Sequence, residues 1–154
     1  SYSKVYKNVA ICTLLKMGFF ARLLGLENYA FDEVFIKKEV VFDIIKFAKS
    51  NYPNEFSAFL KGKIKNRKLI VEEIIYQNFQ SSENSSVITT NLPVLSGRVG
   101  TAHSHPGARN MPSKADLEFF SKYGSVNLII GKPYTAETVA AYDGGGRRIS
   151  FNII

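Results

Sequence analysis

Two histidines occur in the 154-residue chain, and they stand two positions apart as His103 and His105. On a β-strand the side chains of residues i and i+2 face the same side. The pair can therefore offer two imidazoles to one point at the end of a strand. Asp116 follows after one loop and one helical turn, so its carboxylate can return to the same point. Two histidines and one carboxylate leave a fourth tetrahedral position open for water, which is the arrangement of a catalytic zinc site. A structural reading competes: Ser113-x-x-Asp116 is also a helix capping box with Asp in the place of the usual Glu or Gln. Taken alone, that reading is the commoner one, and an isolated His-x-His is a weak signal. The combination is stronger, because the chain's only histidines form the pair and a short, proline-marked loop leads to the carboxylate. The two roles are also compatible, since a side chain in the first helical turn can face the strand end.

The elements that must position these groups can be read from periodicity and breakers. Residues 33–37 form a short strand candidate. A helix is expected from about Glu39 to Ser50, with Val41, Ile44, Ile45 and Ala48 on one face, ending before Pro53. Residues 55–64 and 68–79 are β-rich runs, and Lys65, Asn66 and Arg67 between them indicate a hairpin. Residues 80–86 read as a polar loop, and 87–90 and 98–104 as further strands. The loop from His105 to Pro112 leads to a helix opened by Ser113 and running to about Tyr123, with Gly124 as the natural C′ residue. Strands are expected at 125–131, 137–142 and 147–153, the last two joined by a turn over Asp143–Gly146. That glycine run reads as a hairpin turn, because no helix follows it to bind an anion. The sum is an α+β domain with a mixed central sheet flanked by helices.

Residues 5–27 precede this pattern as one or two helices, with Leu15, Phe19 and Leu23 spaced i, i+4 and Phe20 and Leu24 widening the face. The chain thus divides into a helical extension over residues 1–30 and a domain over 31–154. Docking of the extension on the domain is the reading expected, with a dimer contact or a membrane-surface helix as alternatives. Lys16 and Arg22 interrupt its apolar run, which argues against a bilayer span, and no small-residue cleavage site follows Val9–Leu15.

Composition bounds the function. The hydrophobic share of 45% and charged share of 21% are those of an ordinary globular domain and exclude disorder and low complexity. Twenty Lys and Arg against 13 Asp and Glu give a net charge of +7, which permits an acidic partner without requiring one. Cys12 is the single cysteine. An internal disulfide framework and a thiolate metal cage are excluded, and a reducing, cytoplasmic compartment is expected. A zinc nucleobase deaminase is excluded too, since it needs His-x-Glu followed by Pro-Cys-x-x-Cys.

His103-Ser-His105-Pro, with seven residues between His105 and Ser113, then Ser113-x-x-Asp116 resembles the motif of the JAMM (MPN+) metalloprotease family, in its prokaryotic single-domain type. That motif also includes a glutamate far upstream, and Glu55-Phe-Ser-Ala-Phe-Leu-Lys-Gly62 is similar to the family's Glu-x-x-Gly-Leu-Leu-x-Gly stretch. Glu55 stands 48 residues before His103 and after the helix at 39–50, as the family order requires. The resemblance covers about residues 33–154. It departs from the family pattern at Ala58, where a glycine is common, and in residues 1–30, which have no counterpart in the minimal domain. What the resemblance implies is a fold of the JAMM type, akin to the cytidine-deaminase-like fold. It further implies one Zn2+ held by His103, His105 and Asp116 with a water as fourth ligand, Glu55 as general base and Ser113 as oxyanion donor. The implied activity is that of an isopeptidase or peptidase cutting after the C-terminal Gly-Gly of a ubiquitin-like or sulfur-carrier protein. A homodimer through the N-terminal segment is a further expectation, whereas nucleic acid and membranes are not expected as partners. The alternatives are a RadC-like relative and a non-catalytic MPN interaction module. The residues around Glu55 favour the peptidase branch over the first, and the complete set of four site residues argues against the second.

Overall fold

The structure is a computed structural model that describes residues 31–76 and 97–154. The helices expected over 5–27, the loop at 80–86 and the strand at 87–90 lie outside the described residues, as do the extension 1–30 and any dimer contact it makes. Within the described residues the fold is α+β, as expected. The elements run β1 (Glu33–Ile36), α1 (Lys38–Asn51), β2 (Ser57–Lys65), β3 (Lys68–Tyr76), β4 (Arg98–Ser104), α2 (Lys114–Tyr123), β5 (Val126–Ile130), a 3-10 turn (Ala136–Thr138), β6 (Val139–Tyr142), β7 (Arg148–Ile149) and β8 (Asn152–Ile153).

All eight strands join one mixed sheet in the order β7-β6-β5-β4-β2-β3-β1-β8. The pairs β1–β3, β1–β8 and β4–β5 are parallel, and the others are antiparallel. The single strand expected over 147–153 is instead two short ones at opposite edges of the sheet. The link between them explains the break. Laid flat, eight strands at ~4.8 Å spacing would hold their edges ~34 Å apart. The three residue steps from Ile149 to Asn152 reach only ~10 Å. The sheet must curl until its edges nearly meet, and the chain turns at Ser150 and Phe151 to pass from one edge to the other.

Helix α1 fills the inside of the curl. Its buried Val40, Val41, Ile44 and Ala48 form one cluster with residues of β1 to β6, among them Ile36, Leu60, Val71, Ala102 and Leu128. The helix is amphipathic as its spacing predicts, and it ends before Pro53, where Tyr52 is extended (φ −54°, ψ 133°). Helix α2 covers the other face of the sheet, where Phe120 packs with Ile129, Ala140 and Tyr142. The helix lies close to β4 because two glycines allow it. A Cβ at Gly124 would come 2.5 Å from Gly100 Cα, and a Cβ at Gly100 would run into the Val126 carbonyl. This corrects the C′ expectation for Gly124. Its φ of −164° is extended, not left-handed, and the residue is small because two backbones meet there.

The β2–β3 hairpin is tighter than the three residues read as its turn. Lys65 pairs with Lys68, leaving Asn66 and Arg67 as a two-residue loop with φ of 50° and 59°, the type I′ geometry that suits strand twist. Arg67 holds this left-handed conformation while its Nε and Nη2 donate to the Asp32 carboxylate at 2.6 and 2.7 Å. The strand expected over 137–142 begins later, at Val139. Thr135 caps the preceding 3-10 turn: its N–H donates to Thr138 Oγ1 at 3.1 Å and its carbonyl accepts from the same hydroxyl at 2.9 Å.

Candidate metal centre

Strand β4 is central, with β2 on one side and β5 on the other. Its residues alternate between the two faces of the sheet. Ala102 joins the cluster around α1. His103 turns to the α2 face, where its ring lies 6.1 Å from Phe120 and its backbone pairs with Ile129. His105, just past the strand end, faces the same way, and the two imidazole centroids are 5.0 Å apart. The same-face argument from i, i+2 spacing therefore holds beyond the last residue of β4.

Ser113 is the N-cap of α2. Its Oγ accepts the Asp116 N–H at 3.2 Å, and the Asp116 carboxylate accepts the Ser113 N–H at 2.6 Å. Both the capping and the convergence expected of Asp116 are thus present. Its Oδ1 lies 3.1 Å from His103 Nε2 and its Oδ2 lies 3.4 Å from His105 Nε2. Burial pushes the Asp116 carboxyl up, but the His103 imidazole and the Ser113 hydroxyl and N–H outweigh it. The group is held well below the usual carboxylate range.

The two Nε2 atoms stand 3.1 Å apart, and the Asp116 carboxylate spans them through its two oxygens; one ligand atom from each of the three residues makes a triangle whose sides are all within 4.8 Å. Atoms bound to one tetrahedral zinc at ~2.0–2.1 Å are separated by about 3.3 Å. The two sides that share His103 Nε2, to His105 Nε2 and to Asp116 Oδ1, are both 3.1 Å and so lie close to the edges of such a coordination tetrahedron. The donor set fits as well. His105 Nδ1 lies 3.0 Å from the Arg109 carbonyl. An acceptor there fixes the proton on Nδ1 and leaves Nε2 with its lone pair, as a metal ligand requires. His103 is 7% exposed, and Asp116 and His105 are half-buried.

Glu55 is exposed and lies just before β2, because the strand expected from residue 55 begins two residues later, at Ser57. Its neighbour Phe56 exchanges hydrogen bonds with Ser104, the residue between the two histidines. Phe56 N–H donates to Ser104 Oγ at 3.0 Å, and Ser104 N–H donates to the Phe56 carbonyl at 3.1 Å. Beside it Ser57 pairs with His103. Glu55 is thus carried to the histidine end of β4, though not into the triangle.

Residues 37–143 match the Prok-JAB family, described as prokaryotic homologs of the JAB domain. The chain belongs to that family. The JAB-domain chain is 32% identical over 103 residues to a "probable metalloprotease" of Haloferax volcanii, a match covering 62% of this chain and 63% of that relative's length. Among solved structures, a JAB1/MPN domain protein from Archaeoglobus fulgidus is 28% identical, with a TM-score of 0.61 over 77% of this chain and 97% of that one. A second structure, described as a metalloprotease-like JAMM zinc site in the proteasome and signalosome, shares the fold at 24% identity. Its TM-score is 0.60 over 80% of this chain and 99% of the other. The JAMM resemblance of the motif and the α+β fold class both agree with these findings.

Four contacts around the JAB-domain triangle had no signal in the motif. Tyr134 Oη donates to the His105 carbonyl at 3.0 Å, and Tyr142 Oη donates to the Asn110 carbonyl at 2.8 Å. Asn110 Nδ2 donates to the Thr138 carbonyl at 3.0 Å, and the Lys132 N–H donates to the Gly107 carbonyl at 2.8 Å. The only cue in sequence was an aromatic ring with a polar tip on a buried strand or turn, which needs a partner when buried.

Proposed function

We propose that this JAB-domain chain is a zinc metallopeptidase whose ion is held by His103, His105 and Asp116. The observation that carries the reading is the convergence of two Nε2 atoms, 3.1 Å apart, on one carboxylate whose Oδ1 lies 3.1 Å from His103 Nε2 and whose Oδ2 lies 3.4 Å from His105 Nε2. Zinc bound there would polarise a scissile carbonyl and lower the pKa of water towards ~7. The chain's own groups supply the rest. Glu55 takes a proton from the attacking water and hands it to the leaving amine as the carbonyl–nitrogen bond breaks and the new carboxyl group forms. Ser113 Oγ accepts the Asp116 N–H, so its O–H remains free to donate to the oxyanion of the tetrahedral intermediate. The chain needs no cysteine nucleophile for this hydrolysis.

The substrate proposed is a protein or adduct joined through the C-terminal Gly-Gly of a ubiquitin-like or sulfur-carrier protein. The four-part motif supports it, as does the exposed position of Glu55, open to an extended tail. The test is cleavage of Gly-Gly-tailed fusions by the purified chain, with and without a chelator, alongside zinc content by elemental analysis. Chelator-sensitive cleavage after the second glycine is expected. Stoichiometric zinc without cleavage of any such fusion would reject the substrate class. A chain purified without zinc and unable to take it up would reject the metallopeptidase and leave an interaction module.

A further inference from the structure

The loop from His105 to Pro112 carries the second histidine at one end and leads to the carboxylate at the other. All eight of its residues are exposed or half-buried without an apolar anchor of their own, and among the hydrogen bonds described it makes no strand pairing. Yet it is fixed by donors that reach it from both faces of the sheet. Tyr134 belongs to the cluster around α1 and is 4% exposed. Its Oη emerges from that side to the His105 carbonyl at 3.0 Å. Tyr142 belongs to the cluster under α2, where its ring stacks on Phe120 with centroids 6.3 Å apart. Its Oη reaches the Asn110 carbonyl at 2.8 Å.

The acceptors are the ones that matter for the second imidazole. The first is the carbonyl of His105 itself. The second belongs to the residue after Arg109, whose own carbonyl takes the His105 Nδ1 proton at 3.0 Å. Fixing both carbonyls fixes the backbone that bears the ring and the backbone that orients it. Tyr134 pays a conformational cost for its place: it is a non-glycine residue at φ 59°, in the left-handed region that persists where the surroundings demand it.

We infer that Tyr134 and Tyr142 are positioning residues, whose hydroxyls, delivered from the two separate cores, hold the His105 imidazole in the orientation that completes the metal triangle. The inference rests on the zinc reading above. It concerns not the ligands but the two phenols that aim one of them.

The test compares the full chain with Tyr134→Phe, Tyr142→Phe and, as a control, Tyr52→Phe, whose ring lies under Lys132 with Nζ 3.5 Å from its centroid. Zinc affinity is measured by competition with a chromophoric chelator. The visible absorption of the cobalt(II)-loaded protein reports ligand geometry. Each of the two loop-facing substitutions keeps its ring and its packing, and each is expected to weaken zinc binding about tenfold, the low end for groups that orient a ligand, and to shift the cobalt bands. Tyr52→Phe should do neither. If a phenylalanine variant does not fold, Asn110→Ala, which frees the same loop from Thr138, carries the same expectation. Unchanged zinc affinity and an unchanged cobalt spectrum in the two variants would overturn the inference even if melting temperature fell, because the hydroxyls would then be structural only. A full chain that takes up neither ion would instead bring down the zinc reading, and this inference with it.

Discussion

Asp116 does two jobs that can be measured apart. Its carboxylate accepts the Ser113 N–H at 2.6 Å as half of the capping box, and it supplies one corner of the triangle. In metal-free protein, Asp116→Ala should remove the cap interaction, worth about 1 kcal/mol. In zinc-loaded protein it should also remove the stabilisation that binding confers, which is about 2.7 kcal/mol when free zinc is a hundredfold above its Kd. Ser113→Ala removes the other half of the same box, the 3.2 Å bond to the Asp116 N–H, without touching a ligand. Melting curves of both variants and the parent, each with buffered zinc and with chelator, separate the terms. Each kcal/mol moves Tm by roughly 2–4 °C in a chain of this size. With chelator, the two variants should fall by similar amounts, a few degrees. With zinc, Ser113→Ala should recover the parent's full increment and Asp116→Ala should recover almost none. An Asp116→Ala protein that gains as much from zinc as the parent would refute the assignment of this carboxylate, whatever its effect on the helix.

Glu55→Gln should keep zinc at parental stoichiometry and lose turnover on a confirmed substrate by roughly 10²–10⁴; near-normal turnover would remove Glu55 from the mechanism. Gly100→Ala drives a Cβ into the Val126 carbonyl and should destabilise the fold by more than ~3 kcal/mol in denaturant melts, whereas a shift under 1 kcal/mol would mean that β4 and β5 can separate freely. Asp143 accepts the N–H groups of Gly145 and Arg147 and the Arg147 guanidinium. Burial pushes its carboxyl up, but those donors prevail and hold it below its ordinary value. Its stabilising share is therefore present above the unfolded carboxylate pKa near ~4 and lost as pH falls through the lower folded value. Asp143→Asn should flatten the acid limb of the stability curve, and an unaltered limb would contradict the shift. Deleting residues 1–30 should alter oligomeric state or solubility by light scattering while zinc binding is retained; an unchanged mass would identify the extension as a loose tail.

Much of the site was legible in sequence because short-range geometry fixes it. The i, i+2 rule put His103 and His105 on one face, and the Ser113-x-x-Asp116 spacing put a carboxylate in the first turn of α2, where the capping box observed at 2.6 and 3.2 Å holds it. The amphipathic spacing of α1 likewise named its buried residues. What escaped depended on contacts distant in the chain. Residues 147–153 read as one strand because alternation cannot tell which edge of a sheet a residue will join. Only the curl of the whole sheet splits Arg148–Ile149 from Asn152–Ile153. Gly124 was read by its place after a helix, when its smallness answers to Gly100 across the helix–strand contact. Tyr134 and Tyr142 carried no local mark at all, since their acceptors lie about thirty residues earlier in the loop.

The sheet's closure sets an order on assembly. Phe35 and Ile36 in the first strand pair with Asn152 and Ile153 in the last, so this contact joins nearly opposite ends of the described chain. On a ribosome the β2–β3 hairpin can form as soon as it emerges, because its partners are adjacent. The two edge pairings of β7 and β8 must wait for residues 148–153. Until then β1 and β6 each present an unpaired backbone edge, and an edge of that kind is open to pairing with another chain. A nascent or C-terminally nicked chain should thus carry β4, the strand of the candidate metal site, already flanked by β2 and β5 while the curl around α1 stands open. The aggregation hazard of this protein is concentrated in that interval, and the last six paired and linking residues bring it to an end.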